Sequence, residues 1–283
     1  MWRWRAPYTC VRLTLSQTSL FRRYDRHAAW ILNGVIVRMG QKIGLHRDGE
    51  TLGLPPFEAE MRRRVWWQII MLDTVYALMS GLGQSLLPRN WNTRPPHNIN
   101  DSDLFPTMTS IQPKDGPTDM IFCLMQYEVA KLIVHTTGLE IVLFQNDTVS
   151  GSEIDSAEVA KVRQRIDELD TNIGKMLDKY CDFSMGPVHE LAVEMRPTWL
   201  SKLREVVITP RSQPEWGSEI RTPKDNLFKV AVTGGEHNVQ MCKVARKQGN
   251  FMWFGRLHPA LTFNYENKTA NIIKIKSPDP LPD

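Results

Sequence analysis

Apolar residues recur at steps of three and four along much of the chain, which is the spacing of one face of an α-helix. The first stripe runs from Tyr24 to His46, and the second, which is apolar over much of its circumference, from Phe57 to Ser80. The cleanest amphipathic pattern extends from Glu153 to Tyr180, and another helix covers Pro187 to Val207, where Pro197 predicts a kink. These segments predict a helical core with the second helix at its centre.

Two further segments have helical patterns that glycine interrupts. One region runs from about Pro117 to Phe144 with a break at Gly138. A helix that starts near Pro223 should break or bend at Gly234-Gly235. Because glycine lowers the stability of a helix interior, neither region is predicted as one straight, uninterrupted helix.

The remaining segments predict loops. Between Gly81 and Gly116, prolines, asparagines and aspartates follow no steady period, which indicates an ordered but irregular loop. Only residues 271–276 alternate in the manner of a strand, and that run is too short to support a sheet. The predicted fold class is therefore all-α, a multi-helix domain with irregular loops.

The positive charge of the chain is concentrated near its start. Residues 1–47 hold nine Arg or Lys residues against one acid, Asp25, while the formal net charge of the whole chain is +4. Such a segment attracts phosphates or an anionic surface. Residues 1–23 also have the composition of a mitochondrial transit peptide, although an arbitrary cut through a longer chain would look the same. We therefore separate residues 1–23 as a basic N-terminal segment, either complete or truncated.

Cysteine and histidine spacing argues against a metal site. The four cysteines are too far apart in sequence for any pair to clamp zinc, and none of the seven histidines lies three to five residues from another. The Gly-x-Ser-x-Gly turn of many hydrolases is absent as well. We expect no catalytic, cofactor-binding or metal-binding residues, and thus neither a cofactor nor enzyme activity. The cysteines are Cys10, Cys123, Cys181 and Cys242.

Membrane insertion is also not expected. The richest apolar run is interrupted by Gln68 and Asp73, and no stretch reaches the roughly 18 uninterrupted apolar residues that a spanning helix needs. The cysteines, few and scattered, suit the reducing conditions of the cytosol or the nucleus. The sequence therefore predicts a soluble protein without a membrane partner.

The run Arg62-Arg63-Arg64 has two interpretations. As a basic patch it would bind nucleic acid. On a helix, however, consecutive residues point about 100° apart, and Glu58 and Glu60 stand four residues before Arg62 and Arg64, the favoured orientation for side-chain pairs. We favour the second interpretation, a helix face fixed by salt bridges and tied to the acidic loop that follows.

The segment Asn100-Asp101-Ser102-Asp103 allows two interpretations too. Clustered carboxylates in an all-α fold are the means by which terpene cyclases hold magnesium against a diphosphate. The second motif of that family requires Ser or Thr at position 104 and Glu at 108, where this chain has Leu104 and Met108. We therefore favour a structural role, in which these residues cap the next helix or turn the loop.

Several motifs in a fixed order resemble a known family. They are Gly-Leu-His-Arg-Asp-Gly at 44–49, Pro-Phe-Glu-Ala-Glu-Met-Arg-Arg-Arg-Val-Trp-Trp-Gln at 56–68, Leu-Asp at 72–73 and Asn-Ile-Asn-Asp-Ser-Asp-Leu at 98–104. Together they are similar to the fungal-specific transcription factor domain, the middle homology region of the zinc binuclear cluster regulators. The resemblance is clearest over residues 44–104 and extends to about Leu257, which suggests a regulatory domain over residues 24–257.

The resemblance implies a function in transcription. Members of the family are nuclear regulators that frequently control a metabolic or secondary-metabolite gene cluster, and this region modulates a separate DNA-binding head. That head holds zinc through six closely spaced cysteines, a pattern that this chain lacks, so DNA is expected as a partner at the level of the family only. Protein partners, a second copy in a homodimer included, are expected to bind the helical domain in the nucleus.

The end of the chain departs from the family. Residues 258–283 form a divergent polar tail without the apolar stripe of a helix, where the family would normally continue in helix. A shortened gene, a mispredicted gene model or a naturally truncated paralogue would each explain it.

An alternative function remains open from the composition. Nine Trp and thirteen Met residues can line an adaptable pocket, which would suit a small-molecule-sensing or partner-binding helical module without direct DNA binding. Simple packing of the core explains the same residues.

Overall fold

The described part of the chain folds into helices alone. The computed structural model describes residues 26–80, 87–88, 90–136 and 156–207, together with the single positions 243 and 247. Within these residues there is no strand, which confirms the all-α prediction, and no helix has the length and apolarity needed to cross a membrane. The five helices are α1 (Arg26–Lys42), α2 (Pro56–Ser80), α3 (Ile121–His135), α4 (Ser156–Tyr180) and α5 (Pro187–Val207), and short 3-10 turns cover Asp101–Asp103 and Phe183–Met185.

The end of α1 follows a local signal. The helix stops at Lys42, a few residues earlier than predicted, because Gly44 adopts a left-handed φ of 75°. The Leu45 amide donates to the Gly40 carbonyl (2.8 Å) and the Gly44 amide to the Gln41 carbonyl (3.0 Å), which together form a Schellman motif. Glycine is the residue that adopts this conformation most easily, so the sequence determines where α1 ends.

Other predicted elements are placed only in part. α3 begins at Ile121, α4 at Ser156 and α5 at Pro187, and α5 continues through Pro197 to Val207. The break predicted at Gly138, the helix near Pro223 and the strand-like run at 271–276 lie outside the described residues. The basic segment 1–23 and the tail 258–283 lie outside them as well.

Two hydrophobic cores share α3. One lies between α1, α2 and α3, and the other between α3, α4 and α5. On α3, Tyr127 and Ala130 belong to the first core, whereas Ile121 and Met125 belong to the second. The prediction placed α2 at the centre, and α2 is deeply buried, but α3 is the helix that joins the two cores. The buried residues of the first core are Ile36, Val37, Leu45, Val65, Trp66, Trp67, Ile69, Ile70, Met120, Tyr127 and Ala130.

Large Trp and Met side chains, the residue types that could line a pocket, fill these cores. Trp66 and Trp67 are at most 2% exposed within the first core, and Met125 and Met195 are fully buried within the second. A buried Trp or Met contributes apolar area and many close contacts to a core. For these four residues the structure supports the packing explanation.

Ion pairs join α4 to α5 beside the second core. Arg196 donates from Nε and Nη2 to Asp170 Oδ1 (2.9 and 2.6 Å), and Arg204 Nη2 lies 2.8 Å from Asp170 Oδ2. Gly174 permits this approach, since a Cβ at that position would lie 3.0 Å from Arg196 Nη2. The two helices are therefore held in register by charge as well as by apolar packing.

Candidate functional site

The motifs that carry the family resemblance meet around the guanidinium group of Arg63. Three segments contribute: the turn after α1, the first turns of α2, and the extended stretch 90–100 that follows α2. We call this group of side chains the arginine network. Its members are Asp48, Glu50, Glu60, Arg63, Arg94 and His97.

A close backbone contact places the turn against α2. A Cβ on Gly49 would lie 2.6 Å from the Ala59 Cα, so only glycine fits there. The neighbouring Asp48 is fixed by the turn, because its Oδ1 accepts from the Glu50 amide (3.1 Å) and its own amide donates to Asn92 Oδ1 (3.0 Å). The carboxylate of Asp48 is thereby aimed at α2.

Arg63 and Asp48 form a bidentate ion pair inside the protein. Arg63 Nε donates to Asp48 Oδ2 (2.8 Å) and Arg63 Nη2 to Asp48 Oδ1 (2.7 Å), and Nη2 also donates to Glu50 Oε1 (2.9 Å). The side chains of Arg63 and Asp48 are 0% and 1% exposed. Planar two-point pairing of this kind is specific to arginine, since lysine offers a single point charge.

The ionisation of this pair follows from its surroundings. Burial raises the pKa of Asp48, but hydrogen bonds from the Arg63 side chain and the Arg94 amide outweigh burial and hold the pKa well below its ordinary value. Burial lowers the pKa of Arg63, and the bonds to Asp48 and Glu50 more than reverse that effect. Both groups are therefore charged at neutral pH, and each depends on the other for its solvation.

A second buried carboxylate, Glu60, is satisfied from the segment 90–100. The His97 amide donates to Glu60 Oε1 (3.1 Å), and His97 Nδ1 lies 2.7 Å from Glu60 Oε2. Arg64 Nε adds a longer contact to Glu60 Oε1 at 3.4 Å. Since the Glu60 side chain is 0% exposed, these partners replace the water that the carboxylate loses on folding.

The three consecutive arginines point to three different segments. Arg62 Nη2 donates to the Ile43 carbonyl (2.7 Å) at the end of α1, while Arg63 reaches the turn at 48–50. Arg64 contacts Asp101 and donates to the Ile99 carbonyl (3.2 Å). The Glu60–Arg64 pair and the tie to the acidic loop confirm the salt-bridge interpretation of this run. All three guanidinium groups bind partners inside the domain, which contradicts the interpretation of the run as a nucleic-acid patch.

Hydrogen bonds order the irregular loop after α2. Trp67 Nε1 donates to the Arg94 carbonyl (2.9 Å), and Thr93 Oγ1 donates to the Leu45 carbonyl (2.6 Å). Asn98 Nδ2 donates to the carbonyls of Lys114 and Gly116, at 2.8 Å each. The prediction of an ordered but irregular loop is confirmed for residues 90–116.

The acidic segment 100–103 turns the loop. Asp101–Asp103 form the 3-10 turn, in which Asp101 contacts Arg64 and Asp103 Oδ2 lies 2.5 Å from Lys114 Nζ. Of the two expected roles, turning the loop is the one observed: the Asn100 side chain makes no cap bond to this turn and accepts from the Asp119 amide (2.9 Å). These acids are neutralised by cations of the same domain.

Metal-ligating residue types do not converge in the part of the chain that the structure describes. Among those residues there is no group of three or more His, Cys, Asp or Glu side chains that could hold a metal ion. Cys123 and Cys181 are free thiols whose pKa is raised by burial, which disfavours the reactive thiolate. His189 is buried in the core, at 0% exposed, and burial lowers its pKa.

The arginine network acts as a structural clamp that holds the turn after α1 and the stretch 90–100 against α2. It joins three segments through charge-assisted bonds; Arg63, Asp48 and Glu60 at its centre are shielded from water, whereas Glu50 and Arg94 at its edge are 47% and 55% exposed. The sequence pattern indicates the Arg run and Glu60 but not the roles of Asp48, Glu50, Arg94 and His97. The only available signal was that Asp48 lies within the motif at 44–49, whose glycines at 44 and 49 mark a constrained turn.

Known proteins are similar to this chain over a region that includes the arginine network. Residues 9–130 match the family described as fungal specific transcription factor domain. The chain is 43% identical over 248 residues to the pyriculol/pyriculariol biosynthesis cluster transcription factor 1 of Pyricularia oryzae, which covers 84% of this chain and 32% of that protein. It is 33% identical over 219 residues to the aurofusarin cluster transcription factor aurR2 of Gibberella zeae, with 76% of this chain and 31% of that protein covered.

A third relative is named as a Zn(2)-C6 fungal-type transcription factor. The chain is 36% identical over 132 residues to the Zn(2)-C6 fungal-type transcription factor pigI of Monascus ruber, covering 44% of this chain and 16% of that protein. The chain thus spans about a third of the length of the first two relatives. No solved structure matches the chain.

Proposed function

We propose that this chain, which belongs to the family of the fungal specific transcription factor domain, regulates transcription of a fungal secondary-metabolite gene cluster. The observation that carries the proposal is the 43% identity with a pyriculol/pyriculariol cluster transcription factor over 84% of the chain. The second relative is also named for a biosynthetic cluster. On this proposal the protein acts in the nucleus and is not an enzyme.

The helical domain would modulate transcription through protein contacts. The inward direction of Arg62, Arg63 and Arg64 supports this role, because a base-reading surface needs exposed cations. DNA contact would belong to a separate zinc-cluster head, and the Monascus ruber relative is named as a Zn(2)-C6 fungal-type factor. We infer a regulatory domain over residues 24–257, flanked by the basic segment 1–23 and the polar tail 258–283, with a second copy among its candidate partners.

Gene deletion in the source fungus tests the proposal. RNA sequencing should show altered transcripts for the genes of one biosynthetic cluster, with most other transcripts unchanged. Reintroducing the gene as a fluorescent fusion should restore the cluster and place fluorescence in the nucleus. Unaltered cluster transcripts, or a complementing fusion that stays outside the nucleus, would contradict the proposal. Mapping the 5′ end of the transcript would show whether a cysteine-rich head is encoded with this domain.

A further inference from the structure

The outward face of α1 carries an exposed stripe of apolar and basic side chains. Ile31 and Val35 are 59% and 41% exposed, and Arg38 and Lys42 are exposed as well. These four residues are spaced i, i+4, i+7 and i+11, so they line one narrow face of the helix. We call them the α1 stripe. Its N-terminal half is apolar and its C-terminal half is basic.

The two cations of the α1 stripe differ from three arginines that follow α1 in the chain. Arg63, Arg64 and Arg94 each contact one or more carboxylates of the same domain. In the described part of the chain, by contrast, neither Arg38 nor Lys42 forms an ion pair. Their charge is therefore available to an external acid.

The opposite face of α1 holds the stripe in place. Ile36 and Val37 are each 1% exposed in the first core, and a Cβ on Gly40 would lie 3.2 Å from the Trp66 ring. The Schellman turn then fixes the end of the helix. A partner would meet a preformed surface, which lowers the entropic cost of binding.

We propose that the α1 stripe is a docking surface for an amphipathic helix of a partner protein, with apolar side chains against Ile31 and Val35 and carboxylates against Arg38 and Lys42. The inference deepens the proposed function, on which it rests, by naming the chemistry of the partner. Helix-on-helix recognition reads side chains at this same spacing.

Charge complementarity selects this occupant over two others. A second copy docked in parallel through the α1 stripe would place Arg38 and Lys42 against the same cations, and an antiparallel copy would use only the apolar pair. A nucleic acid would pair with the two cations but would leave Ile31 and Val35 uncovered. An acidic amphipathic helix satisfies all four positions.

The test uses the full chain and two synthetic peptides in fluorescence anisotropy. One peptide is an amphipathic helix with leucines at i and i+4 and glutamates on the following turns, and its control carries lysine in place of glutamate. We expect the glutamate peptide to bind and the lysine peptide not to bind. The double variant R38E/K42E should weaken binding about tenfold or more, since it reverses both charges.

The matched control is R165E, which reverses an exposed arginine on α4 and should leave binding unchanged. Circular dichroism should show the same helicity for all variants, because these side chains are exposed. The inference would be overturned if the lysine peptide bound as tightly as the glutamate peptide, or if R165E lost as much binding as R38E/K42E. Tighter binding of a DNA duplex than of the glutamate peptide, or a homodimer that R38E/K42E abolishes, would overturn it as well. A normal response of cluster transcripts in a strain carrying R38E/K42E would overturn only the docking surface, whereas unaltered transcripts in the deletion strain would refute the proposed function itself.

Discussion

Removing Arg63 should cost more stability than any substitution on the surface of the domain. In the variant Arg63→Met the apolar stem is kept but the guanidinium is lost. Asp48, with a side chain 1% exposed, then keeps a buried charge whose bidentate partner at 2.7 and 2.8 Å is gone. Breaking a buried ion pair from one side costs about 3–5 kcal/mol. Total stability of a domain is on the order of 5–15 kcal/mol, so the loss is a large fraction of it.

A double-mutant cycle with Asp48→Asn measures whether the pair itself is responsible. Asp48→Asn removes the charge that Arg63→Met leaves uncompensated, so the double variant should be more stable than the sum of the two single losses predicts. A coupling energy of about 1–3 kcal/mol is expected for groups in direct contact. Urea unfolding followed by circular dichroism gives the four free energies of unfolding.

Two controls make the outcome interpretable. Arg165→Met removes an exposed arginine of α4 and should change the free energy of unfolding by less than about 0.5 kcal/mol. Arg63→Lys keeps the charge but not the planar fork, so it should lie between wild type and Arg63→Met. If Arg63→Met were no less stable than Arg165→Met, or if the cycle gave no coupling, the arginine network would not be the clamp described above.

Three further outcomes are expected. Gly49→Ala should lower Tm, because its Cβ would lie 2.6 Å from the Ala59 Cα, whereas Gly116→Ala, with open space around its Cβ, should not; a thermal melt that shifts both equally would contradict this. Burial raises the pKa of Asp48, but the bonds from Arg63 lower that pKa by more than burial raises it. The pair therefore stabilises the fold above about pH 4 and loses that contribution as pH falls. Urea midpoints of wild type should fall more steeply on acidification than those of Asp48→Asn. Trp67→Phe removes the 2.9 Å bond to the loop together with part of a buried ring, so it should cost more than the roughly 1 kcal/mol of a hydrogen bond in urea unfolding; no change would contradict both roles.

Local rules explain why much of the fold could be predicted. The period of three and four located α2, α4 and α5 to within a few residues, because a helical stripe is a property of neighbouring positions. The stop of α1 at Gly44 and the Glu60–Arg64 pair are local in the same sense. The role of α3 was less readable, because its apolar residues face two cores and so show no single stripe.

The sequence by itself determined the all-α class, the spans of α2, α4 and α5, and the fact that the Arg run would pair with acids. Only the tertiary structure decided which acids: Asp48 lies 15 positions from Arg63 and 46 from Arg94, and His97 lies 37 from Glu60. The physical reason is reach. A helix brings together residues three and four apart by its own geometry, whereas contacts over tens of residues depend on how the turn at Gly49 and the loop at 90–100 fold back onto α2. The same folding turned Arg62, Arg63 and Arg64 inward. It left Arg38 and Lys42 on the surface.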